Sequence, residues 1–403
     1  MRDTPHQTDV LVVGGGLAGM IAAASFARSG FSTLMIDPQR PVTDGTQTGA
    51  DFRSTAFLRP ARALFERIGV WEALAPFATP LEGLRIVDTR AGALRGERQF
   101  EGRETADAPF GWNFLNWVMR RELSRVLPQI AGLSLRYGVG FRTIVTRSSQ
   151  AVVTLDDGSR VVAKLVIAAD GRESALRKAV GIDVKTTHYG QKSLAFTATH
   201  DRPHHNISTE IYREGGPFTM VPLADIDGSP ASAIVWMNSG AVAQDLQNMA
   251  PVAFNARMSE RAAHLYGDMR LASPRGLFPI ITRTARDLAA ERVALIAEAA
   301  HVLPPIGAQG LNTSLADVTL LLDLARAQPQ NLGDSAMLAD YARTRARDIG
   351  PRAQAIDVFN RVVRSEGALL QWVRLNGLKA VHDIPPLRRA IMQAGLGPAR
   401  ARK

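Results

Sequence analysis

Two glycine-rich segments carry the residue types and spacing that could do chemistry. The first, residues 14–19, reads GGGLAG and follows directly on an apolar run at residues 9–13. An alanine-rich helical pattern comes next, then a strand-like run at residues 32–36 with Asp37 at its end. Strand, glycine turn, helix, strand and acid in this order form a unit that holds a dinucleotide. Gly14 permits the tight turn, Gly16 lets a pyrophosphate approach the backbone, Gly19 lets helix and sheet pack closely, and Asp37 is placed to accept from ribose hydroxyls. The second segment, residues 293–317, reads VALIAEAAHVLPPIGAQGLNTSLAD. A buried-strand run ends in small residues, Pro304 and Pro305 stiffen the exit, and Gly307, Ala308 and Gly310 leave backbone N–H groups uncovered where a helix starts near Leu311. Orphan donors and the positive end of the helix dipole make that turn a site for negative charge. A plain strand-to-helix turn is the alternative reading of this segment.

Other chemistry is narrowly bounded. No cysteine is present, which excludes disulfides, thiolate zinc sites and cysteine nucleophiles and is compatible with a reducing cytoplasm. His301 sits in a strand-to-loop motif, where histidine more often orients backbone than moves protons. His200, His204 and His205 lie in a proline-containing segment with no fourth ligand in view, so an exposed surface is expected and no metal is assigned. The 403 residues are 46% hydrophobic and 21% charged, a globular composition with length for two or three domains. A net charge of +10 is spread along the chain, and without a nucleic-acid module it points to anionic small molecules or a lipid surface instead. The N-terminus lacks the apolar core of a signal peptide, and no apolar run is long enough to span a bilayer.

The elements that must position the two segments follow from periodicity. Residues 38–51 read as a loop, and a helical pattern closes at Gly69. Residues 81–88 resemble a strand, followed by a charged hairpin or loop over 89–109. Residues 116–127 form an amphipathic helix with Val118, Leu123 and Leu127 inward. Asp156, Asp157 and Gly158 mark a hairpin turn between two strand-like runs, the second ending at Asp170 and Gly171. Residues 186–280 alternate like a sheet-rich insertion, and the chain is mostly helical from Leu315. The expected fold is α/β: a Rossmann-like dinucleotide domain (1–75, 110–185, 276–345), an inserted β-sheet substrate domain (76–109, 186–275) and a helical C-terminal region (346–403).

With GGGLAG, the Asp170-Gly171 pair and AEAAHVLPPIGAQGLN in this order, the chain resembles the single-component flavoprotein aromatic hydroxylases over nearly its whole length. It is most similar to the ubiquinone-biosynthesis hydroxylases, through RSTAFL from Arg53, NWVMRREL from Asn116, GPFTMVPL from Gly216 and IPPLRRAIMQAGLG near the C-terminus. The resemblance implies FAD, with NADH or NADPH as transient reductant, and oxygen transfer from a flavin C4a-hydroperoxide to the ring of a polyprenylated phenol. It places Gly14, Gly16, Gly19 and Asp37 on the adenosine diphosphate half, Arg53, Asn116 and Asp170 beside the cofactor, and Glu298, Ala308, Gln309, Gly310, Leu311 and Asn312 at the flavin end. Where the family commonly has Gly-Asp before Ala-Ala-His, this chain has Ala297-Glu298. The Pro-Pro-x-Gly-Ala pattern also resembles 4-hydroxybenzoate hydroxylase, and by that likeness the Pro305 carbonyl faces substrate beside the Gly307 and Gly310 backbone. Tyr212, Val221, Pro222 and Leu223 are expected as an apolar substrate wall, suited to a prenylated ring. Arg388, Arg389, Arg400, Arg402 and Lys403 suit either a peripheral seat on the inner face of the cytoplasmic membrane, beside other ubiquinone-biosynthesis proteins, or a solvated helix face. Two alternatives stand: a soluble phenolic-acid hydroxylase, and a non-catalytic subunit that keeps the fold.

Overall fold

The computed structural model describes residues 5–90, 93–104, 108–213, 216–305 and 308–364. At its centre are five parallel strands in the order Val293–Leu295, Arg160–Ala168, His6–Val13, Thr33–Asp37 and Leu133–Tyr137. Burial on both faces explains why these strands read as continuous apolar runs; Val10, Leu11, Val12, Val166 and Ile167 have no or almost no exposed surface. The hairpin at residues 156–158 joins Ala151–Leu155 to Arg160–Ala168 as expected. The helix Leu17–Arg28 is buried nearly all round, which is why it is alanine-rich rather than amphipathic.

A second sheet runs in the order His301–Val302, Gly276–Ala285, Val184–His200, Ser229–Ser239, Gly216–Ile226, Ile207–Arg213, Gly83–Arg90 and Ala93–Glu101. Alternation with period two gives it two different faces. Phe196, Ile211, Phe218, Met220 and Trp236 pack on the helices Gly240–Asn248 and Pro251–Arg261, in a core separate from that of the parallel sheet. Ser193, Glu210, Thr219 and Val221 line a cavity on the opposite side. A small third sheet, Ser54–Leu58 with Gly111–Leu115 and Thr79–Leu81, closes one flank.

The second glycine segment joins the two large sheets. Its strand Val293–Leu295 belongs to the parallel sheet, and six residues after Leu295 the chain pairs His301–Val302 with Gly276–Ala285 in the other. Between them, residues 297–300 make a single helical turn, where the sequence suggested a plain strand tip. The helix Gln309–Ala327 starts two residues earlier than expected, and Ser335–Arg364 follows it. No helix among the described residues is long and apolar enough to cross a membrane.

Candidate active site

One cavity of about 900 Å³ is walled by both glycine segments and by the inner face of the second sheet. The three fingerprint glycines have different reasons to be glycine. Gly14 has φ +112, and a Cβ there would stand 2.3 Å from the Ala169 carbonyl oxygen. On Gly19 it would stand 1.9 Å from the Gly14 carbonyl oxygen, so helix and turn approach more closely than any side chain permits. Gly16 precedes the helix Leu17–Arg28 and lines the cavity, and a Cβ there would meet nothing within 4 Å. The first turn of that helix has no side-chain cap, leaving donors for an anion. Asp37 stands outside the cavity wall, where it accepts from Gly15 N–H at 2.6 Å and Gln39 N–H at 2.8 Å and so also fixes the turn.

Arg53 and Asn116 meet in the cavity wall through a residue that the motifs did not single out. Arg53 grips Asp51 with two donors, Nε to Oδ1 at 2.8 Å and Nη2 to Oδ2 at 2.7 Å. Asn116 donates to the same carboxylate at 3.1 Å, Arg120 stands 3.5 Å away, and the Arg53 guanidinium lies 4.7 Å over the Phe278 ring. Burial pushes the Asp51 carboxyl up, but hydrogen bonding and charge from Arg53, with help from Asn116 and Arg120, outweigh it and hold the group below its ordinary value. Thr55 donates to the other end of the Asn116 amide at 2.8 Å.

The second segment is braced from behind. Asp317 is fully buried and accepts from Ala297 N–H at 3.0 Å, from Arg345 Nε at 2.7 Å, and meets His301 Nε2 at 2.7 Å. Its carboxyl would be driven up by burial, yet His301 and Arg345 hold it below the ordinary range. Arg345 continues to Asp348, Asp348 to Arg352, and Arg352 donates to Gln309 at the start of the helix Gln309–Ala327. Buried Arg177 adds a bond to the Ala299 carbonyl at 2.8 Å. His301 lines the cavity with its Nε2 tied to the Asp317 carboxylate. Ala297 adopts φ +55, the left-handed conformation that a glycine takes without strain, and Ala308 does the same as cap of its helix.

Of the remaining expected site residues, Glu298, Pro305, Ala308, Gln309, Gly310 and Leu311 all line the cavity; Gly307 lies outside the described residues. Glu298 is half exposed and 3.6 Å from Arg172. The Asn312 side chain is committed to the scaffold, accepting from Leu58 N–H and donating to the Ala56 and Ala308 carbonyls. Asp170 accepts from Leu176 N–H at 3.1 Å through one oxygen, while its other oxygen is buried without a partner. Val221 lines the cavity. Pro222 and Leu223 do not: the strand turns Pro222 to the other face, its carbonyl takes the Asn113 amide, and Leu223 packs with Ala231 and Ala233. Tyr212 is buried behind Glu210, to which its hydroxyl donates at 2.6 Å. The exposed surface expected for three histidines holds for His205 alone; His200 is buried between Ser232 and the Arg202 carbonyl, and His204 bonds the Leu223 carbonyl. Residues 365–403, with all five basic positions singled out there, lie outside the described residues.

The donor set fits FAD: an uncapped helix start at an open glycine, a second helix start at Ala308, an orphaned buried acceptor at Asp170, and a cavity large enough for more than one ring. This is the architecture of a flavin-dependent monooxygenase. Residues 7–354 match the FAD binding domain family, and the chain belongs to it. Ubiquinone hydroxylase UbiL of Rhodospirillum rubrum is 30% identical over 392 residues, covering 96% of this chain and 89% of that protein. The 3-demethoxyubiquinol 3-hydroxylase of Escherichia coli is 26% identical over 98% of this chain and its own full length. Human mitochondrial ubiquinone biosynthesis monooxygenase COQ6 is 26% identical, with 95% and 91% covered. Among solved structures, p-nitrophenol 4-monooxygenase PnpA of Pseudomonas putida superposes with a TM-score of 0.77 at 17% identity over 98% of this chain and 100% of that one, a likeness of fold. FAD is the cofactor, and the protein is a flavin-dependent hydroxylase.

Proposed function

We propose that the protein hydroxylates the aromatic ring of a polyprenylated phenol in ubiquinone biosynthesis, consuming NADH or NADPH and O2 and releasing oxidised nicotinamide, the ring-hydroxylated product and water. The observation that carries this reading is the continuity of the cavity, from Gly16 and Gly310 at helix starts to the apolar sheet positions Val221, Ala233 and Val235. Bound FAD supplies the passage of reducing equivalents to O2 and of one oxygen atom to the ring. The chain's own groups do the rest. N–H donors at Gly16 and in the first turn of Gln309–Ala327 would hold negative charge at the two halves of the cofactor. Arg53, Asn116 and Asp170 orient it, Glu298 takes the place of the usual aspartate, and the Pro305 carbonyl faces the substrate. The FAD part comprises residues 1–75, 110–183 and 286–345 and the substrate domain 76–109 and 184–285; the boundaries expected at 185 and 276 move because Val184–His200 and Gly276–Ala285 are strands of the second sheet.

Mass spectrometry of a 2-prenylphenol incubated with the purified protein, NAD(P)H and O2 tests the reading. A product heavier by one oxygen is expected; stimulation by 4-hydroxybenzoate alone would instead favour a soluble phenolic-acid hydroxylase. The basic residues Arg388, Arg389, Arg400, Arg402 and Lys403 seat the protein on anionic lipid at the inner face of the cytoplasmic membrane, beside other enzymes of the pathway. Flotation with anionic liposomes is expected for the full chain and reduced for a chain ending at residue 364. Equal flotation of both removes the assignment.

A further inference from the structure

Among the described residues the sheet end of the cavity contains one carboxyl, Glu210, and we propose that it selects the substrate, receiving the ring hydroxyl of a neutral phenol and turning away rings that carry a carboxylate. This deepens the hydroxylase reading and rests on it. Glu210 lies on the strand Ile207–Arg213 with Ser208, two residues apart on the cavity face, opposite Thr219 and near Val221. Tyr212 Oη donates to Glu210 Oε2 at 2.6 Å and fixes the side chain. Among the described residues no cation pairs with this carboxyl, in contrast to Asp51 and Asp317, which are held by arginines. A carboxyl has about four acceptor positions, so one tyrosine leaves capacity for a ligand donor. Burial pushes the group above its ordinary value, so its immediate surroundings already disfavour negative charge. A benzoate brought beside it would set a second carboxyl in the same desolvated place, whereas a phenol hydroxyl brings a hydrogen-bond donor. A merely structural carboxyl would be expected to hold backbone or a cation, and Glu210 does neither.

The test uses the full-length flavin-loaded protein, titrated separately with 2-prenylphenol and 4-hydroxybenzoate. Perturbation of flavin absorbance gives the two affinities, and NAD(P)H oxidation gives the stimulated rates. The wild type is expected to prefer the prenylphenol. Glu210→Gln, which keeps the shape and removes the charge, is expected to narrow that preference by about ten-fold or more, through tighter benzoate binding as like-charge repulsion disappears. Glu210→Asp, which keeps the charge on a shorter arm, is expected to retain exclusion of benzoate while weakening the phenol, and it decides the matter if the glutamine variant does not fold. A preference unchanged in Glu210→Gln, or benzoate admitted by Glu210→Asp, overturns the proposal and leaves the hydroxylase reading standing. A wild type that prefers 4-hydroxybenzoate, or responds to neither ring, overturns both.

Discussion

The two ends of the cavity treat charge in opposite ways. At the flavin end, two carboxylates are held by cations: Asp51 by Arg53 and Arg120, and Asp317 behind the loop by Arg345 with His301 beside it. At the sheet end, Glu210 stands among small and apolar side chains with a tyrosine hydroxyl as its donor. The first arrangement holds a backbone turn rigid in front of an anionic cofactor. The second leaves a desolvated polar group directed at whatever enters. Stability is concentrated in the first and selectivity in the second, since a buried carboxyl without a cation costs stability that a binding site can use.

This contrast predicts a graded set of effects. Asp317→Ala strands Arg345 and His301 without their acceptor and frees Ala297 N–H, so a loss of about 3–5 kcal/mol and of bound flavin is expected in denaturant unfolding and flavin absorbance. Retention of flavin by a stable Asp317→Ala protein would break the account of the brace. Next come two of the three fingerprint glycines. Gly19→Ala forces a Cβ into the Gly14 carbonyl and should destabilise the flavin-free protein by roughly 2 kcal/mol or more. Gly16→Ala meets open space, so the flavin-free protein keeps its stability while FAD binds more weakly by about ten-fold. Equal thermal shifts in the two variants would contradict this division.

Acid separates the two ends by sign. Asp51 and Asp317 are depressed below their unfolded value of 3.8, so their contribution is complete above about pH 3.8 and is lost as pH falls through their folded values. Glu210 is raised above 4.5, so its cost is present at neutral pH and is relieved as pH falls through its folded value towards 4.5. Glu210→Gln should therefore raise Tm at pH 7 by about 1–3 °C and remove that gain on mild acidification. A lowered Tm at pH 7 would show Glu210 to be a structural carboxyl. The smallest effect is expected from Ala297→Gly: relief of the left-handed strain at φ +55 exceeds the added freedom of the unfolded chain, for a net gain of roughly 0.5 kcal/mol.

The fingerprint was legible because its function is in backbone approach, which only glycine spacing can encode; Gly14, Gly16 and Gly19 stand where that spacing implies. The parallel strands were legible as unbroken apolar runs, and Val118, Leu123 and Leu127 as one buried helix face. The partners of these motifs were harder to read. Asp51 is one acid in a polar loop, and only folding brings Asn116 and Arg120 to it. Asp317 did leave a signal, as a lone acid on the otherwise buried face of TSLADVTLL. Pro222 and Leu223 were grouped with Val221 by hydrophobicity, and the two-residue period of the strand separates Pro222 from it. The same period marks Ser208 and Glu210 as one polar face, which identifies the selective residue once the sheet's inner side is known.

The most direct test of the central claim, a single cavity holding FAD against a neutral ring, is the yield of hydroxylated 2-prenylphenol per NAD(P)H oxidised by the flavin-loaded protein in air. Product is expected in proportion to NAD(P)H consumed, with little from 4-hydroxybenzoate. A protein that takes up no FAD, or that oxidises NAD(P)H without forming product from the prenylphenol, would contradict it.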